Sequence, residues 1–215
     1  MIRPHFRLRL GVRRCPAAFR GRGTKQTQCR CCPYWLLADI VSTVISISQL
    51  EAQLQHFDGK HVDSLFRVGR MLPLESTTID QLFELAERSD PPMQIAATWL
   101  LKYVQSQKLT FSSSQITRLV EQLGGSAPWE SRLQLLQMLP QLVIPATCTE
   151  TLFQVLLLPL SGRNKFIRAW AYTGLHVLAS QHRSYVKEVV PLLEQALKDE
   201  AASVSARVRQ LEPLK

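Results

Sequence analysis

An apolar pattern recurs along this chain every 36 or 37 residues, and it restricts the possible folds more than any other feature of the sequence. Each copy has four positions at spacings i, i+3, i+4 and i+7, so its members share one face of a helix. The four copies are Ile79, Leu82, Phe83 and Ala86; Ile116, Leu119, Val120 and Leu123; Leu152, Val155, Leu156 and Pro159; and Val189, Leu192, Leu193 and Ala196. Pro159 is expected to end its helix. The pattern predicts four helices at a constant spacing.

A second helix is predicted after each copy of this pattern. Its inward positions recur with the same period: Ile95, Ala97 and Trp99; Ser131, Leu133 and Leu135; Ile167, Ala169 and Ala171; and Val204, Ala206 and Val208. Turn residues such as Asp90-Pro91-Pro92 separate paired helices, and further N-caps are expected around Ser112, Thr149 and Ser184. Helix pairs at this period, without strand-like alternation, predict an all-α fold. The expected architecture is a short α-solenoid of four helix pairs, each stacked on the next.

Two short segments resemble the HEAT-repeat family. Asn164 to Ala171 is similar to the start of the second HEAT helix, where an apolar residue (Ile167) precedes an arginine (Arg168) and an alanine follows. Asp90-Pro91-Pro92 is similar to the Asp-Pro turn of the same family. Ala96 and Ser205 replace the arginine in two other copies. The resemblance extends over about residues 76–212 and implies a stack of four HEAT-like helix pairs whose second helices line a concave face.

Residues 38–215 are predicted to form this HEAT-like helical repeat domain. Its first part, residues 38–72, is interpreted as an N-terminal helical cap, a degenerate pair that covers the end of the stack. The apolar positions of this pair are Ile40, Val44, Ile47 and Leu50, followed by Val62, Leu65, Phe66 and Gly69.

The positive charge is concentrated outside the predicted repeats. Residues 1–35 hold nine of the 26 lysine and arginine side chains and no carboxylate, so the remaining 17 basic residues balance all 17 acidic ones. A neutral repeat domain argues against nucleic acid as its partner. Residues 1–37 are expected to be a disordered basic segment, of the kind that a translation start assigned too far upstream adds. The alternative is a mitochondrial transit peptide. The transit-peptide alternative is weakened because no serine precedes Ser42.

No sequence motif indicates catalysis or a cofactor. Phosphate-binding glycine loops, the H-E-x-x-H zinc motif and the G-x-S-x-G elbow do not occur. Cys29 and Cys32 form a C-x-x-C near Cys31 and Cys15, but the second ligand pair of a zinc site is missing. Cys148 is the one thiol of residues 38–215, which favours a reducing, cytoplasmic compartment, with the mitochondrial matrix as the alternative. No run of 18 apolar residues occurs, so no membrane span is expected.

The second helices carry a column of polar residues that is predicted to face away from the core. It runs through Thr98, Gln134, Trp170 and Arg207, with further members one helical turn away. Because second helices line the concave face of such stacks, this stripe is the predicted partner-binding site. With Arg168 beside it, the candidate residues are Gln94, Thr98, Gln134, Gln137, Phe166, Arg168, Trp170, Thr173, Arg207 and Gln210.

Within this stripe, Phe166 and Trp170 are expected to be aromatic anchors, and Arg168 and Arg207 to meet an acidic or carbonyl-rich partner. A helix register displaced by one residue would instead place Trp170 in the core. Trp99 shares an apolar column with Leu135, Ala171 and Val208 and is expected to be buried.

The predicted function is non-catalytic binding of another protein, as a scaffold or adaptor. The alternative implied by the HEAT resemblance is an enzyme or a nucleic-acid binder, similar to the DNA glycosylases or chromophore lyases built on related solenoids. A DNA enzyme would need a cationic groove. The basic residues that cluster in the repeats, close to three carboxylates, are Arg163, Lys165, Arg168, Arg183, Lys187, Arg207 and Arg209.

Overall fold

The computed structural model describes residues 46–214, and this part of the chain is built from ten α-helices with no strand. The helices are α1 (Ile47–Leu54), α2 (Asp63–Met71), α3 (Ser76–Ala86), α4 (Pro91–Ser106), α5 (Ser113–Gly124), α6 (Trp129–Met138), α7 (Thr149–Leu157), α8 (Lys165–Gln181), α9 (Val186–Asp199) and α10 (Ala202–Val208). The all-α prediction is confirmed for these residues. The basic segment 1–37, its four cysteines, and Ile40 and Val44 lie outside the described residues.

The last eight helices form four consecutive pairs. Within each pair the two helices contact each other: α3 with α4, α5 with α6, α7 with α8, and α9 with α10. Helices in equivalent places also contact from pair to pair, since α3 touches α5 and α5 touches α7. A longer row runs α2, α4, α6, α8, α10, each helix in contact with the next. These five helices are called the second-row helices below.

The predicted apolar quartets form the core of the first two pairs, where all eight members are buried. In the later pairs the quartets are buried less completely, since Val155 and Leu192 are only partly buried. Helix α7 turns Phe153 into the core, and its last turn continues as a 3-10 helix, Leu158–Ser161, around Pro159. Within the described chain no further pair follows α9 and α10, so no first helix of a later pair packs against α9. The apolar face of α9 is therefore covered less completely.

Side-chain caps fix the starts of four of the described helices, and at α1 Ser46 forms a reciprocal capping box with Gln49. Asp90 accepts a hydrogen bond from the Met93 amide at the start of α4, and Asn164 caps α8 in the same way. Ser112 forms a reciprocal capping box with Gln115 at the start of α5. The caps expected at Thr149 and Ser184 are wrong. The chain enters α7 and α9 through short 3-10 helices, Ala146–Cys148 and Arg183–Tyr185, which take the place of a side-chain cap.

Candidate functional site

Four aromatic side chains meet in an open cavity on the second-row helices. Phe66 comes from α2, Trp99 and Tyr103 from α4, and Trp170 from α8. The cavity has a volume of about 550 Å³. Its polar walls are Lys102, Gln105, Ser106, Gln137 and Gln141. This cavity is called the aromatic pocket.

Helical spacing and ring geometry build the apolar end of the aromatic pocket. Trp99 and Tyr103 are four residues apart on α4, and their rings stack with centroids 5.7 Å apart and an interplanar angle of 13°. Phe66 meets the Trp99 ring edge-on, with centroids 4.7 Å apart, and approaches Tyr103 in the same manner at 6.3 Å. Edge-to-face contacts of this kind are favourable beyond the area they bury. The Phe66 side chain still keeps 44% of its surface exposed.

A glycine allows α2 to approach the Tyr103 ring. A Cβ atom at Gly69 would lie 2.8 Å from two ring carbons of Tyr103, closer than such atoms pack. The Tyr103 ring therefore rests against the bare backbone of α2. Any side chain at Gly69 would push the ring out of its place in the aromatic pocket.

Lys102 forms the polar end of the aromatic pocket together with Gln137. Its ammonium group donates a hydrogen bond of 2.5 Å to Oε1 of Gln137, on the neighbouring helix α6. Burial lowers the pKa of Lys102, because desolvation disfavours its charged form. Lys102 is the one charged side chain that the described residues contribute to the lining, and none of the ion pairs within residues 46–214 includes it.

Two members of the predicted stripe, Gln137 and Trp170, line the aromatic pocket. The outward orientation predicted for Thr98 and Thr173 is wrong, since they are 2% and 4% exposed. The second-row helices pack side by side, so this column faces the next helix instead of solvent. The Thr98 hydroxyl lies 2.7 Å from Oε1 of Gln134 and donates to it, and the Thr173 hydroxyl accepts from Nε of Arg207.

Both predicted partner-facing arginines are engaged within the chain. The Arg168 guanidinium forms a forked ion pair with Glu200, and the two side chains are 15% and 14% exposed. The expected exposure of Arg168 is therefore wrong. The Arg207 guanidinium carbon lies 3.8 Å from the centre of the Trp170 ring, so it covers one face of that indole.

The remaining stripe residues lie outside the aromatic pocket. Phe166 is 56% exposed at the start of α8, as predicted for a surface residue, but it does not line the pocket. Gln210 is exposed, and Gln134 is partly buried. Gln94 borders a separate cavity of about 310 Å³ that is lined by residues of α3, α4, α5 and α6. The predicted stripe is therefore not one continuous surface.

Sequence reasoning missed Phe66, Tyr103 and Lys102 as site residues and assigned Trp99 to the core. The structure leaves Trp99 only partly buried and places it in the wall of the aromatic pocket. One signal for the pocket was present, because Phe66 and Tyr103 are 37 residues apart and so occupy equivalent places in successive repeats. The contact between their rings depends on how closely α2 approaches α4, which the repeat period does not show.

Two further properties of residues 46–214 concern metal ions and membranes. No group of three or more histidine, cysteine, aspartate or glutamate side chains is arranged there to hold a metal ion. None of the helices in this range is both long enough and apolar enough to cross a membrane.

The chain was compared with protein-family models, with curated proteins and with solved structures, and no match was found in any of the three. Inferences about its function therefore depend on the geometry of its own residues.

Proposed function

We propose that this chain is a non-catalytic protein-binding scaffold or adaptor, and that its helix pairs form a HEAT-like solenoid. The contacts between equivalent helices of successive pairs support the stacked arrangement. In this arrangement the second-row helices form one side of the stack, and that side presents the binding surface. The segment α1–α2 covers the first repeat.

The aromatic pocket is the observation that carries the proposal. Interface hot spots are enriched in tryptophan and tyrosine, which supply large and rigid contact areas. Here three second-row helices each place at least one ring in the same cavity, and the exposed part of Phe66 is continuous with it. The volume of about 550 Å³ is sufficient for an inserted side chain and part of its backbone.

Polar contacts between neighbouring second-row helices hold this surface in place before a partner arrives. Thr98 bonds to Gln134, Lys102 to Gln137, and Thr173 to Arg207. Each contact joins one helix of the row to the next. A surface fixed in this way loses little conformational entropy on binding, which favours affinity.

Quantitative affinity capture with the full chain tests the proposal. Phe66→Ala removes an exposed ring of the aromatic pocket, and Gly69→Ala displaces Tyr103 without deleting an aromatic side chain. Both variants should weaken retention of the captured protein by about 30-fold, the equivalent of about 2 kcal/mol at a hot spot. The matched control is Trp129→Ala, because Trp129 is 49% exposed and lies outside the pocket.

Equal retention by the pocket variants and the wild type would overturn this assignment of the binding surface. Capture that is lost on nuclease treatment and falls steeply with salt would instead favour the alternative, a DNA-binding HEAT-like enzyme. Two of the basic residues that such a groove would use, Arg168 and Arg207, already contact Glu200 and Trp170.

A further inference from the structure

The polar end of the aromatic pocket presents a cation that lacks a counter-charge among the described residues. Lys102 donates one hydrogen bond, to Gln137, and an ammonium group has three donors. A desolvated charge is costly unless a group of opposite charge compensates it. A carboxylate brought to Lys102 would supply both the charge and an acceptor for the remaining donors.

The apolar end of the aromatic pocket suits a flat ring. The stacked pair Trp99 and Tyr103 offers ring faces and edges at one side, and the edge-on position of Phe66 shows that an aromatic ring packs well against them. Trp170 comes from α8, two helices further along the second row, and Arg207 covers one face of its ring. An aromatic side chain inserted into the pocket would therefore meet rings from α4 and from α8.

The charge of the site also excludes one class of occupant. A lysine or arginine could stack on the exposed rings, but it would meet the Lys102 ammonium in the same cavity, and Arg207 is close by. No carboxylate of the described residues lines the aromatic pocket. This argument also applies to the chain's own residues 1–35, which carry nine basic side chains and no acidic one. Charge complementarity therefore favours an acidic occupant.

We propose that the aromatic pocket binds a segment of a partner protein in which an aspartate or glutamate stands next to an aromatic residue. The carboxylate pairs with Nζ of Lys102, and the ring packs between Trp99 and Trp170. This inference rests on the proposed function and adds the chemistry of the partner segment to it.

Fluorescence polarisation with labelled peptides tests the inference on the full chain. The probes are Gly/Ser peptides of equal length that differ only in a central Glu-Phe-Glu, Gln-Phe-Gln, Lys-Phe-Lys or Glu-Ala-Glu. We expect Glu-Phe-Glu to bind at least about tenfold more tightly than Gln-Phe-Gln. The Lys-Phe-Lys and Glu-Ala-Glu peptides should bind more weakly than either.

A lysine variant with a matched control assigns the preference to Lys102. Lys102→Met should remove the difference between the Glu-Phe-Glu and Gln-Phe-Gln peptides, whereas Lys102→Arg should keep it. Lys187→Met is the control, because Lys187 is exposed on α9 and does not line the aromatic pocket. Melting curves of Lys102→Met and Lys102→Arg check that both variants are folded at the temperature of the binding measurement.

The outcomes separate this inference from the proposed function. Equal affinity for the Glu-Phe-Glu and Gln-Phe-Gln peptides would overturn the acidic preference and leave a protein-binding pocket in place. If no phenylalanine peptide binds but Phe66→Ala still weakens affinity capture, the inference alone is overturned. If no peptide binds and Phe66→Ala leaves affinity capture unchanged, the inference and the proposed function are both overturned. A Lys102→Met variant that keeps the full preference would move the carboxylate site elsewhere.

Discussion

Threonine is a common surface residue, yet two threonines of the second-row helices are buried where the sequence predicts exposure. The Thr98 hydroxyl oxygen lies 2.8 Å from the Gln94 carbonyl oxygen and 2.7 Å from Oε1 of Gln134 on the next helix, so its single hydrogen is shared between two acceptors. Thr173 donates to the Ala169 carbonyl and accepts from Arg207. A bond to the carbonyl one turn back satisfies a buried hydroxyl locally, and the remaining contact joins two repeats. The polar side chains of this column therefore bond to other residues of the same chain.

Thr98→Val tests this role, because it keeps the β-branched shape and removes the hydroxyl. We expect a loss of about 1 kcal/mol in the free energy of unfolding, since Gln134 loses a buried partner. Urea denaturation measures it. The control is Thr149→Val, where the lost hydroxyl donates to the Ala146 carbonyl three residues earlier in the chain. An equal loss in both variants would show that the bond between the repeats adds nothing.

Ion pairs connect successive elements on the other side of the pairs. Arg118 on α5 forms a forked ion pair with Glu87, the residue that follows α3, with Nη2 2.7 Å from Oε2. The guanidinium holds the pKa of Glu87 below its ordinary value of 4.5. A lowered carboxyl pKa in the folded state stabilises the protein above pH 4.5, and this contribution is lost as the pH falls through the folded pKa. Arg118 also lies over the Phe83 ring at 5.4 Å, a contact independent of pH.

Arg118→Met should therefore be less stable than the wild type at pH 7, and the difference should shrink at about pH 3 without vanishing. Urea denaturation at the two pH values, at constant ionic strength, measures both differences. Glu87→Gln should likewise lose less stability than the wild type between pH 7 and pH 3, because a glutamine side chain is not protonated in this range. A difference between wild type and Arg118→Met that stays constant with pH would assign the whole contribution to Phe83 packing.

At the scale of elements, the sequence predicted what depends on period and local capping. The pairs α3–α4 to α9–α10 follow from the apolar spacing, and the caps at Asp90 and Ser112 follow from side chains that favour this position. The start of α7 could not be predicted from Thr149, because a 3-10 turn there depends on how the preceding loop packs. The aromatic pocket could not be predicted either. Its rings meet because Gly69 lets α2 approach Tyr103, and this approach is a tertiary feature.

At the scale of the whole molecule, contacts between residues about 35 residues apart tie each pair to its neighbour. Gln115 reaches back to Asp80, Tyr185 to Glu150, and the His176 ring to the Glu212 carbonyl. No equivalent contact skips a pair among the polar bonds of residues 46–214. If the chain is the proposed solenoid, its stability is approximately a sum of repeat terms and nearest-neighbour interface terms. A substitution that destabilises one repeat should therefore lower the local stability mainly of that repeat and of the repeats next to it.

Native-state hydrogen exchange on two core variants tests this one-dimensional behaviour. Leu82 in α3 and Leu175 in α8 are both fully buried, so truncation to alanine should cost each repeat a similar amount, about 2–5 kcal/mol. Leu82→Ala should accelerate amide exchange in α2 to α5 far more than in α9 and α10. Leu175→Ala should show the reverse, with its effect concentrated in α7 to α10. If either variant instead accelerates all helices equally, the chain unfolds as one cooperative unit, and the stacked-repeat architecture does not describe its energetics.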